Sequence, residues 1–226
     1  MDSPLTKLIE RLSEYYTDKV FVEVGAFDGV THSFTRPLLL KDKDWVGYYV
    51  EPHPQNYLAL RAHVNGLRAY TARVGIANAG KDFLPFYFGK PAQCSTFSFR
   101  ATRLRPTKYT GESLEVQCRS LKELLDEWFI PHDFTLLVLD MEGSDIEAIQ
   151  TLGPYLPRII ITEVWSFDPV LYTQKFALLA DRGYVFLTRV GHDDVWVHKD
   201  SFCAYSQDFL ISYPPCDGKP LATPLA

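Results

Sequence analysis

The sequence predicts an α/β fold: a doubly wound, mostly parallel seven-stranded sheet with an added β-hairpin and loop. Three observations carry that expectation. Phe21-Val22-Glu23-Val24-Gly25-Ala26-Phe27-Asp28-Gly29 reads as a short buried strand running straight into a glycine-bearing turn. Thr135-Leu136-Leu137-Val138-Leu139 is a nearly continuous apolar run stopped by Asp140, the pattern of a central parallel strand buried on both faces. Strand-like and helix-like segments alternate along most of the chain, as crossover units require. The 226 residues fit one large domain, 1–226, better than two. At 46% hydrophobic and 14% aromatic the chain can build a sizeable core, which excludes wholesale disorder.

Each element has a local reason. Ser3-Pro4 supplies a side-chain cap and then proline at the first helical position. Leu5, Leu8, Ile9, Leu12 and Tyr15 follow at helical spacing, so residues 1–17 are expected to form an amphipathic helix. Residues 19–24 make the first strand. Residues 33–40 read as a helix with Pro37 in its first turn, and 45–50 as the second strand. A helix over 54–64 and a strand over 68–74 follow, closed by a turn at Asn78-Ala79-Gly80-Lys81. Aromatic-rich 83–88 is expected to pair with 114–118 as the added hairpin. Between them 89–112 is polar and irregular, an inserted loop. A helix over 121–128 precedes the 135–139 strand. Ser144 then starts a helix, with Glu147 three residues on as a capping box. Strand 159–162, helix 170–180 and strands 184–188 and 209–213 complete the sheet, and 214–226 is a proline-rich surface tail.

Several function classes are disfavoured. A formal charge of -5 does not suit duplex nucleic acid. No apolar run approaches the ~20 residues of a membrane span, and the first residues lack the regions of a signal peptide. Cys94, Cys118, Cys203 and Cys216 form no CxxC pair, and reduced thiols in a cytoplasmic protein are the expectation. A dinucleotide fingerprint would need glycines at 25, 27 and 30, but Phe27 and Val30 stand there. His192-Asp193-Asp194 with His198 has no diagnostic metal spacing and reads as a hairpin turn.

Glu23, Glu51, Asp140 and Glu163 all fall at strand ends. One such carboxylate can simply cap the next turn. Four on successive core strands converge on one edge of the sheet, where repulsion and desolvation are costly unless a ligand or metal shares the site. Glu51 lies 22 residues after Gly29, the distance at which an acid can accept hydrogen bonds from ribose hydroxyls. S-adenosylmethionine suits the pattern: its ribose needs acceptors, its ammonium needs carboxylates, and its sulfonium is a permanent cation.

The 21–29 segment, Val50-Glu51-Pro52-His53-Pro54, Leu139-Asp140-Met141-Glu142-Gly143-Ser144-Asp145-Ile146-Glu147 and Ile160-Ile161-Thr162-Glu163 together resemble FkbM-type methyltransferases. That family lies within the class I, Rossmann-like S-adenosylmethionine-dependent fold. The resemblance runs over about residues 18–190. It implies that Glu23, Gly25, Ala26, Asp28 and Gly29 surround the methionine and ribose parts of the cofactor. Glu51 would take the ribose hydroxyls, His53 would lie beside the adenine, and Gly75 and Ile76 would line its pocket. Asp140 and Glu142 would face the methionine end and the acceptor. A commoner motif of the fold has glycine where Phe27 stands.

The resemblance also implies methyl transfer to an oxygen, a hydroxyl of a sugar or secondary metabolite. Asp140 and Glu142 are the first candidates for the base, and His32 is the next. Arg100, Arg103, Arg105 and Lys108 form a basic run free of acids. It reads either as a solvated loop or as a grip on an anionic small-molecule acceptor, with Ser95 and Glu163 as further substrate-side candidates. No metal is expected. The two alternatives are a divalent ion held by Asp140, Glu142 and Glu163, and a non-catalytic cofactor-binding module.

Overall fold

The computed structural model describes residues 3–78, 82–164 and 168–202. Its strands are β1 (Val20–Val24), β2 (Val46–Val50), β3 (Ala69–Ala72), β4 (Gly75–Ile76), β5 (Phe83–Gly89), β6 (Tyr109–Arg119), β7 (Leu136–Leu139), β8 (Ile159–Glu163), β9 (Tyr184–Val190) and β10 (Asp193–His198). Its helices are α1 (Pro4–Ser13), α2 (Arg36–Lys41), α3 (Pro54–His63), α4 (Phe99–Leu104), α5 (Leu121–Glu127), α6 (Asp145–Gln150), α7 (Pro169–Asp181) and α8 (Lys199–Phe202).

Seven strands form one sheet in the order β3-β2-β1-β7-β8-β10-β9. Pairing is parallel from β3 to β8, and β10 runs antiparallel to both of its neighbours. The chain winds outward from β1 to β3 and then returns to β7 on the other side of β1. In an open α/β sheet the crevice at such a reversal, outside the carboxyl ends of the strands, is where ligands bind.

Alternation along β7 shows why the sheet is covered on both faces. Leu136 and Val138 join a core with Leu8, Ile9 and Leu12 of α1, Leu38 of α2 and Leu60 of α3. Leu137 and Leu139 join the opposite core with Leu121 and Leu124 of α5, Ile149 of α6 and Leu179 of α7. Each fully buried side chain of this kind contributes about 1.5–3 kcal/mol. A three-stranded sheet, β4-β6-β5, stands beside the main one. Because β4 begins just after β3, this hairpin is hung next to the carboxyl ends of the main sheet.

Several local expectations are corrected. The first helix stops at Ser13, and Tyr15 is exposed. The helix expected from residue 33 begins at Arg36. Residues 89–112 are more ordered than expected: they hold α4 and two short 3-10 turns, and β6 already starts at Tyr109. Ser144 makes no side-chain cap. The capping box of this region belongs to Ser120 and Glu123 at the start of α5. The strand beside β8 is β10, reached through the hairpin turn expected at His192, whereas the strand expected over 209–213 and the tail at 214–226 lie outside the described residues. Among the described residues no helix is long and apolar enough to cross a membrane.

Candidate functional site

The site grows from the end of β1. Gly25 has φ +87°, and a Cβ there would lie 1.8 Å from the carbonyl oxygen of Asp140. Only glycine lets the β1 turn rest against the end of β7 in this way. The N–H groups of Gly25 and Ala26 donate to the Val50 carbonyl at 2.9 and 3.1 Å, and the Asp140 N–H donates to the Val24 carbonyl at 3.0 Å. The three strand ends are thus tied to one another through backbone.

Glu51 organises the next layer. Phe27, itself at φ 50°, donates its N–H to Glu51 Oε2 at 2.8 Å, and the His53 N–H donates to Oε1 at 2.8 Å. The side chain is buried, with the residue 4% exposed. Burial pushes its carboxyl up to about 7, against the opposing pull of those two N–H groups.

Glu51 lines a cleft of about 450 Å³ together with Val24, Gly25, Phe27, Gly75, Ile76 and Asp140. Its outer wall, Phe86, Gln93, Ser95 and Phe97, comes from β5 and the segment after it. A Cβ on Gly75 would lie 2.3 Å from the Phe97 ring, so glycine lets that ring close over β4. Ser95 is committed within its own loop, donating to the Ala92 carbonyl at 2.7 Å and accepting from the Gly89 N–H at 3.0 Å. His53 caps α3 through Nδ1, and its ring centroid stands 4.9 Å from that of Phe88.

A second cleft, of about 500 Å³, is lined by Glu23, Ala26, Thr31, His32, Phe34 and Glu142, and it shares Gly25, Phe27, Gln93 and Asp140 with the first. Glu23 is buried and accepts a hydrogen bond from the Thr35 hydroxyl. Its carboxyl is pushed up to about 7 by burial. Asp140 opens onto both clefts. Asp140 is exposed where the clefts meet, yet the crowding of its carboxyl and then the neighbouring Glu163 and Glu142 raise its pKa above the usual carboxylate range. Glu142 is raised too, by burial first, with the Arg105 guanidinium pulling it back from 3.6 Å. Glu142 and Gly143 both have positive φ, 49° and 94°, and the Thr96 hydroxyl donates to the Glu142 carbonyl at 2.8 Å. One carboxylate oxygen each from Asp140, Glu142 and Glu163 lies within 4.8 Å of the others.

Of the expected site residues, His53 and Glu163 line neither cleft, and four more stand elsewhere. Asp28 accepts from the N–H groups of Val30 and Thr31 and so caps its own turn. Gly29 packs under Leu60, where a Cβ would meet Cδ1 at 2.6 Å. Arg100 forks onto Asp168, the buried cap of α7, through Nε and through Nη2 at 3.0 Å. That pair consumes the charge expected to meet an acceptor. Arg103 lies exposed on α4 and lines neither cleft.

The sequence reading missed Gln93 and Phe97, since an irregular segment gives no period from which to infer a wall, and it placed Phe86 in a strand without assigning it to the site. It also missed the buried pair Lys175–Asp145, whose Nζ and Oδ2 are 3.1 Å apart. Lysine within a helix ordinarily reads as solvated.

An open sheet of this order, with two clefts meeting at the β1 and β7 ends, is the class I methyltransferase architecture. A presumed caffeoyl-CoA O-methyltransferase from Staphylococcus aureus shares it, with a TM-score of 0.51 and 10% identity over 87% of this chain and 83% of its own. An S-adenosylhomocysteine-bound methyltransferase from Podospora anserina aligns with a TM-score of 0.48 and 13% identity over 88% and 79% of the two chains. A precorrin-6y C5,15-methyltransferase from Geobacter metallireducens gives 0.44 and 13% over 85% of each. No curated protein sequence matches significantly. The methyltransferase FkbM domain matches residues 23–186, and the chain belongs to that family of S-adenosylmethionine-dependent methyltransferases.

Proposed function

We propose that the protein moves the methyl group of S-adenosylmethionine to a hydroxyl oxygen of a small-molecule acceptor, a sugar or secondary metabolite. The observation that carries this reading is the meeting of two clefts at Asp140. The first has aromatic walls and an acid suited to ribose hydroxyls, Glu51. The second has acids suited to accepting a proton, with Asp140 at the junction. In the reaction the acceptor oxygen attacks the methyl carbon in line with the departing sulfur. The carbon–sulfur bond breaks as the carbon–oxygen bond forms, and the acceptor proton passes to a carboxylate. Holding the two reactants in line removes most of the entropic cost. A carboxylate with a raised pKa makes the better base near neutral pH, which favours Asp140, with Glu142 beside it and His32 across the cleft.

Incubation with S-adenosylmethionine and a panel of hydroxylated metabolites tests the reading. Formation of S-adenosylhomocysteine together with a methylated hydroxyl, identified by mass spectrometry, is the expected result. Methylation confined to nitrogen or sulfur acceptors would overturn it.

One observation favours a second reading, in which a divalent cation aids the acceptor. The three oxygens within 4.8 Å of one another are hard donors of the type magnesium and calcium take. Asp140, Glu142 and Glu163 would hold the ion, which would polarise the acceptor hydroxyl. Loss of turnover in chelator, restored by magnesium, selects this reading.

A further inference from the structure

Lys175 is a buried cation with no evident part in cofactor or acceptor binding. It sits in the middle of α7, 4% exposed, and donates from Nζ to Asp145 Oδ2 at 3.1 Å and to the backbone carbonyl of Glu163. Asp145, 3% exposed, accepts the Met141 N–H through its other oxygen at 3.3 Å. A continuous bridge therefore runs from the Met141 N–H through Asp145 and Lys175 to the Glu163 carbonyl. Met141 stands between Asp140 and Glu142. One end of the bridge thus stands between two acids of the second cleft, and the other ends on Glu163, whose carboxylate lies within 4.8 Å of theirs.

Burying a lone charge is costly unless it is paired and hydrogen-bonded. A leucine at 175 would suit the core of α7 but would remove the cation that Asp145 Oδ2 and the Glu163 carbonyl both accept from. The register of the sheet shows what the bridge adds. Pairing of β7 with β8 ends at Leu139 and Thr162, one residue short of Asp140 and Glu163. Beyond that point the two acid-bearing strand ends have no ladder between them, while β10 holds Glu163 only from its far side.

We infer that Lys175 is a positioning residue for methyl transfer: through Asp145 it replaces the missing ladder and holds Asp140, Glu142 and Glu163 in one fixed arrangement toward the acceptor. The inference rests on the function proposed above. Displacements of about 1 Å at a reacting centre can cost on the order of 10²-fold, so the bridge should appear in turnover and not in cofactor affinity.

The test compares the parent with Lys175→Met, Lys175→Arg and Asp145→Asn. Sites are titrated with S-adenosylhomocysteine, and kcat and acceptor KM are measured with the hydroxylated metabolite that the parent methylates fastest. Expected for Lys175→Met is a kcat per cofactor-binding site lower by ~10–10²-fold, with S-adenosylhomocysteine affinity and acceptor KM each within about threefold of the parent. Lys175→Arg should recover part of that loss, because it keeps a cation able to donate to Asp145 and to the Glu163 carbonyl. A merely structural lysine would lower the number of binding sites and the melting temperature, leaving kcat per site unchanged. That result overturns the inference. If Lys175→Met does not fold, Asp145→Asn decides in its place, and parental kcat per site in that variant is equally fatal. A parent that binds S-adenosylhomocysteine but methylates no hydroxyl removes the proposed function, and this inference with it.

Discussion

Glu51→Gln offers the sharpest probe of the cofactor cleft, because the structure sets two separate costs for it. The carboxylate accepts the Phe27 and His53 N–H groups at 2.8 Å each and faces the first cleft with its remaining lone pairs. Glutamine keeps one oxygen and replaces the other by an NH2, so one of those N–H groups meets a donor. An orphaned buried N–H costs about 1–3 kcal/mol, which in a chain of this size lowers Tm by about 2–4 °C per kcal/mol. The second cost falls on the ligand. A hydrogen bond to a charged acceptor is worth about 1.5–3 kcal/mol, so S-adenosylhomocysteine should bind roughly 10–150-fold more weakly. Calorimetry on the folded variant, alongside a thermal melt, separates the two. A Glu51→Gln protein that is folded and binds S-adenosylhomocysteine as tightly as the parent would refute the assignment of Glu51 to the ribose. Alanine is the poorer choice. Glu51 is buried, and on truncation both N–H groups would lose their acceptor.

Further outcomes are expected. Asp140→Asn should slow methyl transfer by ~10²-fold or more with little change in cofactor affinity; rates within a few-fold of the parent, with and without magnesium, would shift the base to Glu142 or His32. Gly25→Ala should abolish cofactor binding or prevent folding, since its Cβ would fall 1.8 Å from the Asp140 carbonyl oxygen; a soluble variant with parental affinity would contradict the contact between the β1 and β7 ends. Glu23 and Glu51 both have carboxyls raised to about 7, so the folded state binds their protons more tightly than the unfolded chain, where the value is ~4.3. Their contribution to stability is then complete below ~4.3 and declines as pH rises through about 7. Denaturant melts across that range should show the decline, and Glu23→Gln should flatten part of it.

Much of this architecture was legible because parallel strands buried on both faces leave unbroken apolar runs. Leu136–Leu139 and Ile159–Ile161 could hardly be anything else, and an acid at the end of such a run marks the sheet edge. β10 was not legible because it opens on Asp193-Asp194, which reads as a turn. Asp194 is in fact fully buried, its charge met by Arg189 on β9 at 2.7 Å, and pairing across a hairpin leaves no trace in local periodicity. The pairing of Arg100 with Asp168 was hidden for a related reason. The two are 68 positions apart, and a run of basic residues says nothing about which of them are already paired. The acids of the site were found through their place at strand ends. Lys175, lying beneath them, could be found only in three dimensions.

The wall formed by Phe86, Gln93 and Phe97 bears on how acceptor preference can change in this family. Gln93 borders both clefts, and its neighbours in sequence close the first. A loop that served the acceptor alone could be exchanged freely between relatives, as interchangeable heads on a common handle. On the proposed assignment of the clefts, the excursion that follows β5 borders donor and acceptor at once, so its exchange would alter the grip on the cofactor along with the choice of substrate. Directed evolution of a new acceptor in this chain is therefore better begun from the opposite wall, at Thr31, Ser33 and Phe34, which line the second cleft and not the first.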